Sequence, residues 1–249
     1  MIKLSDRLQL IANRINEKET MADIGTDHGF LPIYLKLSGK SPKVVMCDVS
    51  IPSLQKAKDN ADLYAASENG MYFRAGDGLQ VLGNGEVNTV VIAGMGGKLI
   101  RDIMAHDLDH TRSFKKFILQ PRIGQGHLRK WLIENGFRIV SEDVVIEGDY
   151  IPEIITAISP GNIVENDMTC VISDVFDGDS LIWKIPPWII DAGGPVGDFL
   201  NRNISLHEEK LNNVMKAKKR NMVLEESIVK DIEYLKKLRK EWEDGKYIR

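Results

Sequence analysis

Asp23-Ile24-Gly25-Thr26-Asp27-His28-Gly29 is the stretch on which the fold turns. It follows the short apolar run Thr20-Met21-Ala22 and precedes a helical pattern over 30–37, so it reads as the corner where a buried strand enters a helix. Glycines at such a corner let the backbone approach a ligand without a β-carbon in the way, and the helix start offers unpaired amides to an anion. Two ordinary readings compete: glycine turns close strands for purely geometric reasons, and nicotinamide-binding proteins also place a Gly-rich turn here.

Outward from this corner the pattern alternates. A helix carrying Leu4, Leu8 and Ile11 to Ile15 precedes the first strand. After the corner come a helix over 30–37, a strand over 43–48, a helix over 52–66 and a strand over 71–75. Strands over 87–93 and 114–120 follow, each with a helix behind it, over 98–106 and 126–135, the second stopped by Gly136. Strands over 137–146 and 151–159, separated by Glu147-Gly148-Asp149-Tyr150, predict a hairpin. Such alternation requires a mostly parallel sheet with helices on both faces, a Rossmann-like α/β fold closed by an antiparallel hairpin strand. Ligands in these sheets bind at the carboxyl ends of the strands.

Three regions follow: a Rossmann-like domain over 1–160, an irregular connector over 161–199 punctuated by Pro186-Pro187-Trp188 and Gly193-Gly194-Pro195, and a helical, basic appendage over 200–249. In the appendage Leu224, Ile228, Ile232, Leu235, Leu238 and Trp242 recur every three or four residues, an amphipathic helix paired with one over 204–219. Trp183 and Trp188 are read as buried junction aromatics rather than base-stacking platforms.

The 249 residues are 43% hydrophobic and 28% charged, the composition of a globular chain. No run of about 18 apolar residues occurs and the start meets charge early, so the protein is expected to be soluble, cytoplasmic and unattached to membranes. Cys47 and Cys170 lack metal-ligand spacing and are read as small buried side chains, with no metal expected. Net charge is -3, yet residues 200–249 hold 13 Lys or Arg against 9 Asp or Glu. A basic tail on an acidic body suits either an anionic partner or a solvated helix face.

Three further elements end strands in the same order. Asp48 lies 23 residues beyond Gly25; a carboxylate there accepts hydrogen bonds from both hydroxyls of a ribose, or alternatively caps the next helix. Gly76-Asp77-Gly78 places an acceptor where an adenine amino group would lie, or forms a plain turn. Ala93-Gly94-Met95-Gly96-Gly97 clears space for a flat substrate, or eases helix packing.

Together these elements resemble the class I methyltransferases. Asp-Ile-Gly-Thr-Asp-His-Gly, Ile-Ala-Gly-Met-Gly-Gly at 92–97, Leu-Gln-Pro at 119–121 and Leu-Arg-Lys-Trp-Leu at 128–132 are similar to the bacterial tRNA adenine-N1 methyltransferases acting at position 22, over roughly residues 1–160. The resemblance implies S-adenosylmethionine as cofactor, tRNA as substrate and a monomer or weak dimer. It places Gly25, Asp27, His28, Gly29, Asp48, Asn60, Asp77, Gly78, Ala93, Gly94 and Met95 around the cofactor, with Asp27, His28, Gly94 and Met95 nearest the chemistry. Gln120 and Pro121 fall on the substrate side, and Lys216, Lys218, Lys219, Arg220, Lys236, Lys237, Arg239 and Lys240 would meet RNA phosphates. Ring-nitrogen methylation fits the lack of an Asn/Asp-Pro-Pro-aromatic motif after the fourth strand. The chain departs from the family at Ile151-Pro152-Glu153-Ile154, where Tyr-Glu-Ile is common, and at Arg122. A small-molecule or protein methyltransferase, or a non-catalytic binder whose tail recruits a partner, are the competing readings.

Overall fold

The structure, a computed structural model, describes residues 2–64, 70–148, 150–163, 167–168 and 178–246. Ala66, Asp149 and Cys170, which figure in the expectations above, lie outside them.

Seven strands form one sheet in the order β3-β2-β1-β4-β5-β7-β6. These are β1 (Met21–Ile24), β2 (Val44–Asp48), β3 (Met71–Ala75), β4 (Thr89–Met95), β5 (Lys116–Pro121), β6 (Arg138–Val144) and β7 (Glu153–Ile158). The first five run parallel, and β7 lies antiparallel between β5 and β6. The expected doubly wound sheet with a closing hairpin is therefore present. Helices α1 (Asp6–Asn13), α2 (Phe30–Leu37) and α3 (Ile51–Leu63) belong to its first half, and α4 (Gly97–Ala105), α5 (Leu108–Arg112) and α6 (Gln125–Glu134) to its second.

Strand residues divide alternately between two apolar layers, as a pleated strand requires. Ala22, Ile24, Val45, Val90, Ile92, Phe117 and Leu119 pack with Ile100 and Met104 of α4 and Leu128 and Leu132 of α6. Met21, Val44, Val91 and Ile118 pack on the opposite face with Ile11 of α1, Leu31, Ile33 and Leu35 of α2, and Ala61 of α3. Covering on both faces is why the inner strands read as continuous apolar runs.

Past the sheet come α7 (Leu181–Lys184), a 3-10 turn over Pro187–Asp191, α8 (Val196–Lys216) and α9 (Met222–Lys246). Trp183 and Trp188 are buried, the structural role expected of them. The expected irregular connector thus already holds α7 and the 3-10 turn, and the first long helix of the appendage starts at Val196 rather than near Leu200, because Val196, Phe199 and Leu200 bury against Val144, Ile185 and Ile189 and so root α8 in the body. At its other end α8 stops at Lys216, short of the expected 219, which leaves Lys218, Lys219 and Arg220 on the interhelical turn. Leu235 and Leu238 of α9 complete the same apolar cluster. Lys236 pairs with Glu208 at 2.7 Å and Arg239 Nε donates to Asn201 at 2.9 Å, so α9 returns antiparallel along α8.

Candidate active site

The sheet reverses its winding between β1 and β4, and the loops after β3, β2, β1 and β4 stand side by side along the carboxyl edge. Backbone bonds link neighbouring tips: Gly25 N and Thr26 N donate to Cys47 O at 2.8 and 3.1 Å, and Gly76 N donates to Asp48 O at 3.0 Å. The fourth tip joins them through a side chain. A β-carbon placed on Gly25 would fall 2.1 Å from Met95 Cε, so Met95 lies across the Gly25 turn. Gly25 itself sits at φ +78°, a conformation costly for any residue with a β-carbon.

Gly94 makes a bulge at the end of β4. Ala93 pairs with Gln120 and Met95 with Pro121, so Gly94 falls outside the register at φ +79°. Its N–H donates instead to Gln120 Oε1 at 3.1 Å, an oxygen that also accepts from Arg7 Nη1 at 3.1 Å. Gln120 Nε2 donates to Pro121 O. The buried Gln120 therefore holds the bulge and does not stand open on the substrate side.

Asp48 Oδ1 accepts from Ser50 N at 2.7 Å, which orients the carboxylate at the end of β2; the cap of α3 is Ser50. Asp77 is exposed, and with Gly78 it borders a cleft shared with Leu99, Asp102, Ile103 and His106. Asp27 and His28 stand at the rim, with the Asp27 side chain 60% exposed and within 3.2 Å of both His28 Nε2 and Lys56 Nζ. The His28 ring stacks on Phe30. Gly29 opens α2 in the left-handed region. Asn60, on α3, donates its side-chain amide to His28 O at 2.9 Å, bracing the turn from outside.

Five further residues join the site, of which only Arg122 stood out in the sequence, as a departure from the family pattern. Thr26 is buried, with its side chain close to the Asp23 carboxyl. Burial pushes the Asp23 carboxyl up to about 6, opposed by the Thr26 side chain and helped by the nearby charge of Asp48. Both lie within the quoted stretch, so a signal existed. Lys56, Arg7 and Arg122 come from elsewhere; the exposed Arg122 guanidinium lies 3.9 Å from where a β-carbon on Gly94 would stand. No local pattern announces Lys56 or Arg7.

The tail cations divide into two groups. Arg220, Lys236, Lys237 and Arg239 are engaged by Glu225, Glu208, Glu241 and Glu243. Lys216, Lys218, Lys219 and Lys240 are exposed and make no ion pair among the described residues.

Among the described residues no helix is long and apolar enough to cross a membrane. The chain is 34% identical over 156 residues to the tRNA (adenine(22)-N(1))-methyltransferase of Bacillus subtilis, a match spanning 63% of this chain and 65% of that protein. The crystal structure of the B. subtilis m1A22 tRNA methyltransferase TrmK superposes with a TM-score of 0.74 at 25% identity, covering 96% of this chain and 100% of that one. Mycoplasma capricolum TrmK, solved with S-adenosyl-homocysteine, has the same fold, with a TM-score of 0.67 at 22% identity over 96% and 98% of the two chains. A methyltransferase domain matches residues 4–155, more than half the sequence, and the chain belongs to that family.

Proposed function

We propose that the protein transfers a methyl group from S-adenosylmethionine to N1 of an adenine in tRNA, at position 22 as in the B. subtilis relative. The observation that carries this reading is the convergence of Gly25, Asp48, Asp77 and Gly94 on one edge at the switch point of the sheet.

The residues fit the cofactor. The β-carbon that Gly25 lacks is where Met95 Cε now rests, so the turn is a cradle that any larger residue would fill. Asp48 would accept from the ribose hydroxyls and Asp77 from the adenine amino group, with the Gly25 and Gly94 backbones along the methionine part. The cofactor supplies an electrophilic methyl group on a sulfonium. Adenine N1 brings its own lone pair: the N–C bond forms as the C–S bond breaks, and the electron pair leaves on sulfur. No base is needed, so the work of the chain is alignment of acceptor, methyl and sulfur. The adenine becomes cationic, and a carboxylate at the rim favours it. Asp27 holds that place, already sharing its charge with Lys56 and His28.

In this reading residues 1–160 bind cofactor and base, 161–199 root the appendage, and 200–249 meet the RNA. Incubating unmodified bacterial tRNA with enzyme and methyl-labelled S-adenosylmethionine should yield labelled 1-methyladenosine in the nucleoside digest, and mass spectrometry of ribonuclease fragments should map it to position 22. Label confined to protein or small molecules would eliminate the reading.

A further inference from the structure

Folding leaves two large side chains in water, one next to the Gly94–Gly97 turn and one on a loop tied to it. Ile123 is 71% exposed and Tyr150 is 77% exposed. Ile123 follows β5, where Arg122 N donates to Met95 O at 2.8 Å and Gly97 N donates to Ile123 O at 2.7 Å. Its Cγ1 lies 3.8 Å from where a β-carbon on Gly96 would stand. One flank of the Gly94–Gly97 turn is therefore apolar.

Tyr150 lies in the β6–β7 connection and exchanges two backbone hydrogen bonds with Glu147, at 2.9 and 3.1 Å. Glu147 Oε2 accepts from Arg7 Nε at 3.1 Å, and Arg7 Nη1 donates to the Gln120 oxygen that holds Gly94 N. Three successive side-chain bonds thus moor the loop bearing Tyr150 to the bulge glycine. An exposed aliphatic side chain thus flanks the Gly94–Gly97 turn, and an exposed aromatic one sits on a loop bonded back to the same turn.

We infer that Ile123 and Tyr150 form the clamp for the target base, one side chain against each face of the adenine, with Gly94 beneath its edge. This deepens the reading above and rests on an RNA adenine being the acceptor. A base taken out of a stack loses the contacts of its neighbours, and enzymes that work on such bases restore them with aromatic or apolar side chains. Removing one stacking partner typically weakens the complex by about 5- to 150-fold.

The test compares Tyr150→Ala, Tyr150→Phe and Ile123→Ala with the wild-type enzyme on unmodified tRNA, with cofactor affinity measured by calorimetry. Tyr150→Ala is expected to lower kcat/KM for tRNA by at least about fivefold, Tyr150→Phe to stay near wild type, and cofactor affinity to be unchanged in all three. In tRNA carrying 2-aminopurine at the target position, fluorescence of the bound RNA should be brighter with Tyr150→Ala than with wild type. A wild-type enzyme that makes no 1-methyladenosine in tRNA overturns the substrate reading and the clamp together. An active wild type, with Tyr150→Ala equal to it in rate and fluorescence, overturns the clamp alone. Loss of cofactor affinity in Tyr150→Ala also overturns it, by assigning Tyr150 to the cofactor pocket or the fold.

Discussion

Gly25 and Gly94 shape the cleft by what they lack. At φ +78° a β-carbon on Gly25 costs about 1–2 kcal/mol of backbone energy, and Met95 Cε must also move. Gly25→Ala should therefore lower Tm by about 2–8 °C in a domain of this size and weaken S-adenosylmethionine binding in the same preparation, read by scanning calorimetry and titration. Asp48 acts through charge: hydrogen bonds to a carboxylate contribute about 1.5–3 kcal/mol, so Asp48→Ala should weaken cofactor binding by at least about tenfold while leaving Tm nearly unchanged. Equal binding by the variant would remove Asp48 from the ribose site. Asp23 sets a pH dependence. Its carboxyl, raised to about 6, holds its proton more tightly when folded, so it favours the folded state below about pH 4 and loses that advantage as pH rises through 6. Asp23→Asn should gain stability relative to wild type between pH 4 and pH 7, measured as the difference in Tm at the two values. Gly25, Gly94 and Asp48 were legible because turn glycines and strand-end acids declare themselves locally, whereas Asp23 lay in the quoted stretch without a role of its own. Arg7 was not, since it reaches the bulge from α1 and carries no spacing signal, and Arg122 stood out only as a departure from the family pattern.

The strands could be read from sequence because burial on both faces makes them continuous apolar runs, and the 137–159 hairpin because a polar turn separates two such runs. Smaller features were hidden. α5 is only five residues long and owes its start to Asp107, whose carboxylate accepts from His110 N at 3.0 Å. The bulge at Gly94 depends on Gln120 across the sheet, a partner that no local pattern reveals. The segment after Gly178 looked like a connector because Pro and Gly dominate it, yet it is fixed by a buried charge. Arg129, fully buried, reaches Glu142 at 2.6 Å and Glu153 at 2.5 Å, and its Nη1 donates to Trp183 O and Lys184 O. Trp188 Nε1 adds a bond to Glu142 at 2.8 Å. One guanidinium therefore ties α6, β6, β7 and α7 together. Arg129→Ala would leave two buried carboxylates without their cation, a loss of about 3–5 kcal/mol, and thermal unfolding should shift down by more than about 6 °C. A shift of a degree or less would mean that water replaces the guanidinium and that the junction rests on apolar packing.

At the scale of the whole molecule, the appendage is a lever. α8 spans 21 residues, about 30 Å of rise, and is buried only at its base, so the turn before α9 stands well away from the sheet. Counting charges showed a basic tail but not which cations are free, because pairing is decided by the geometry of the helical hairpin. Lys216, Lys218 and Lys219 gather at that distal end without ion pairs among the described residues, whereas Arg220 and the α9 cations Lys236, Lys237 and Arg239 are largely met by glutamates. Phosphate contacts are therefore expected at the turn, at a span suited to a folded RNA rather than a mononucleotide. Deleting residues 200–249 is a poor probe of this, since it would strip Leu200, Leu235 and Leu238 from the apolar cluster that closes β6. Replacing Lys216, Lys218 and Lys219 with alanine leaves that cluster whole. The triple variant should raise KM for tRNA, keep cofactor affinity, and make the dependence of log Kd on log salt shallower by as much as about three, roughly one per lost phosphate contact. A salt slope identical to wild type would place the RNA elsewhere on the molecule and return the turn lysines to solvent.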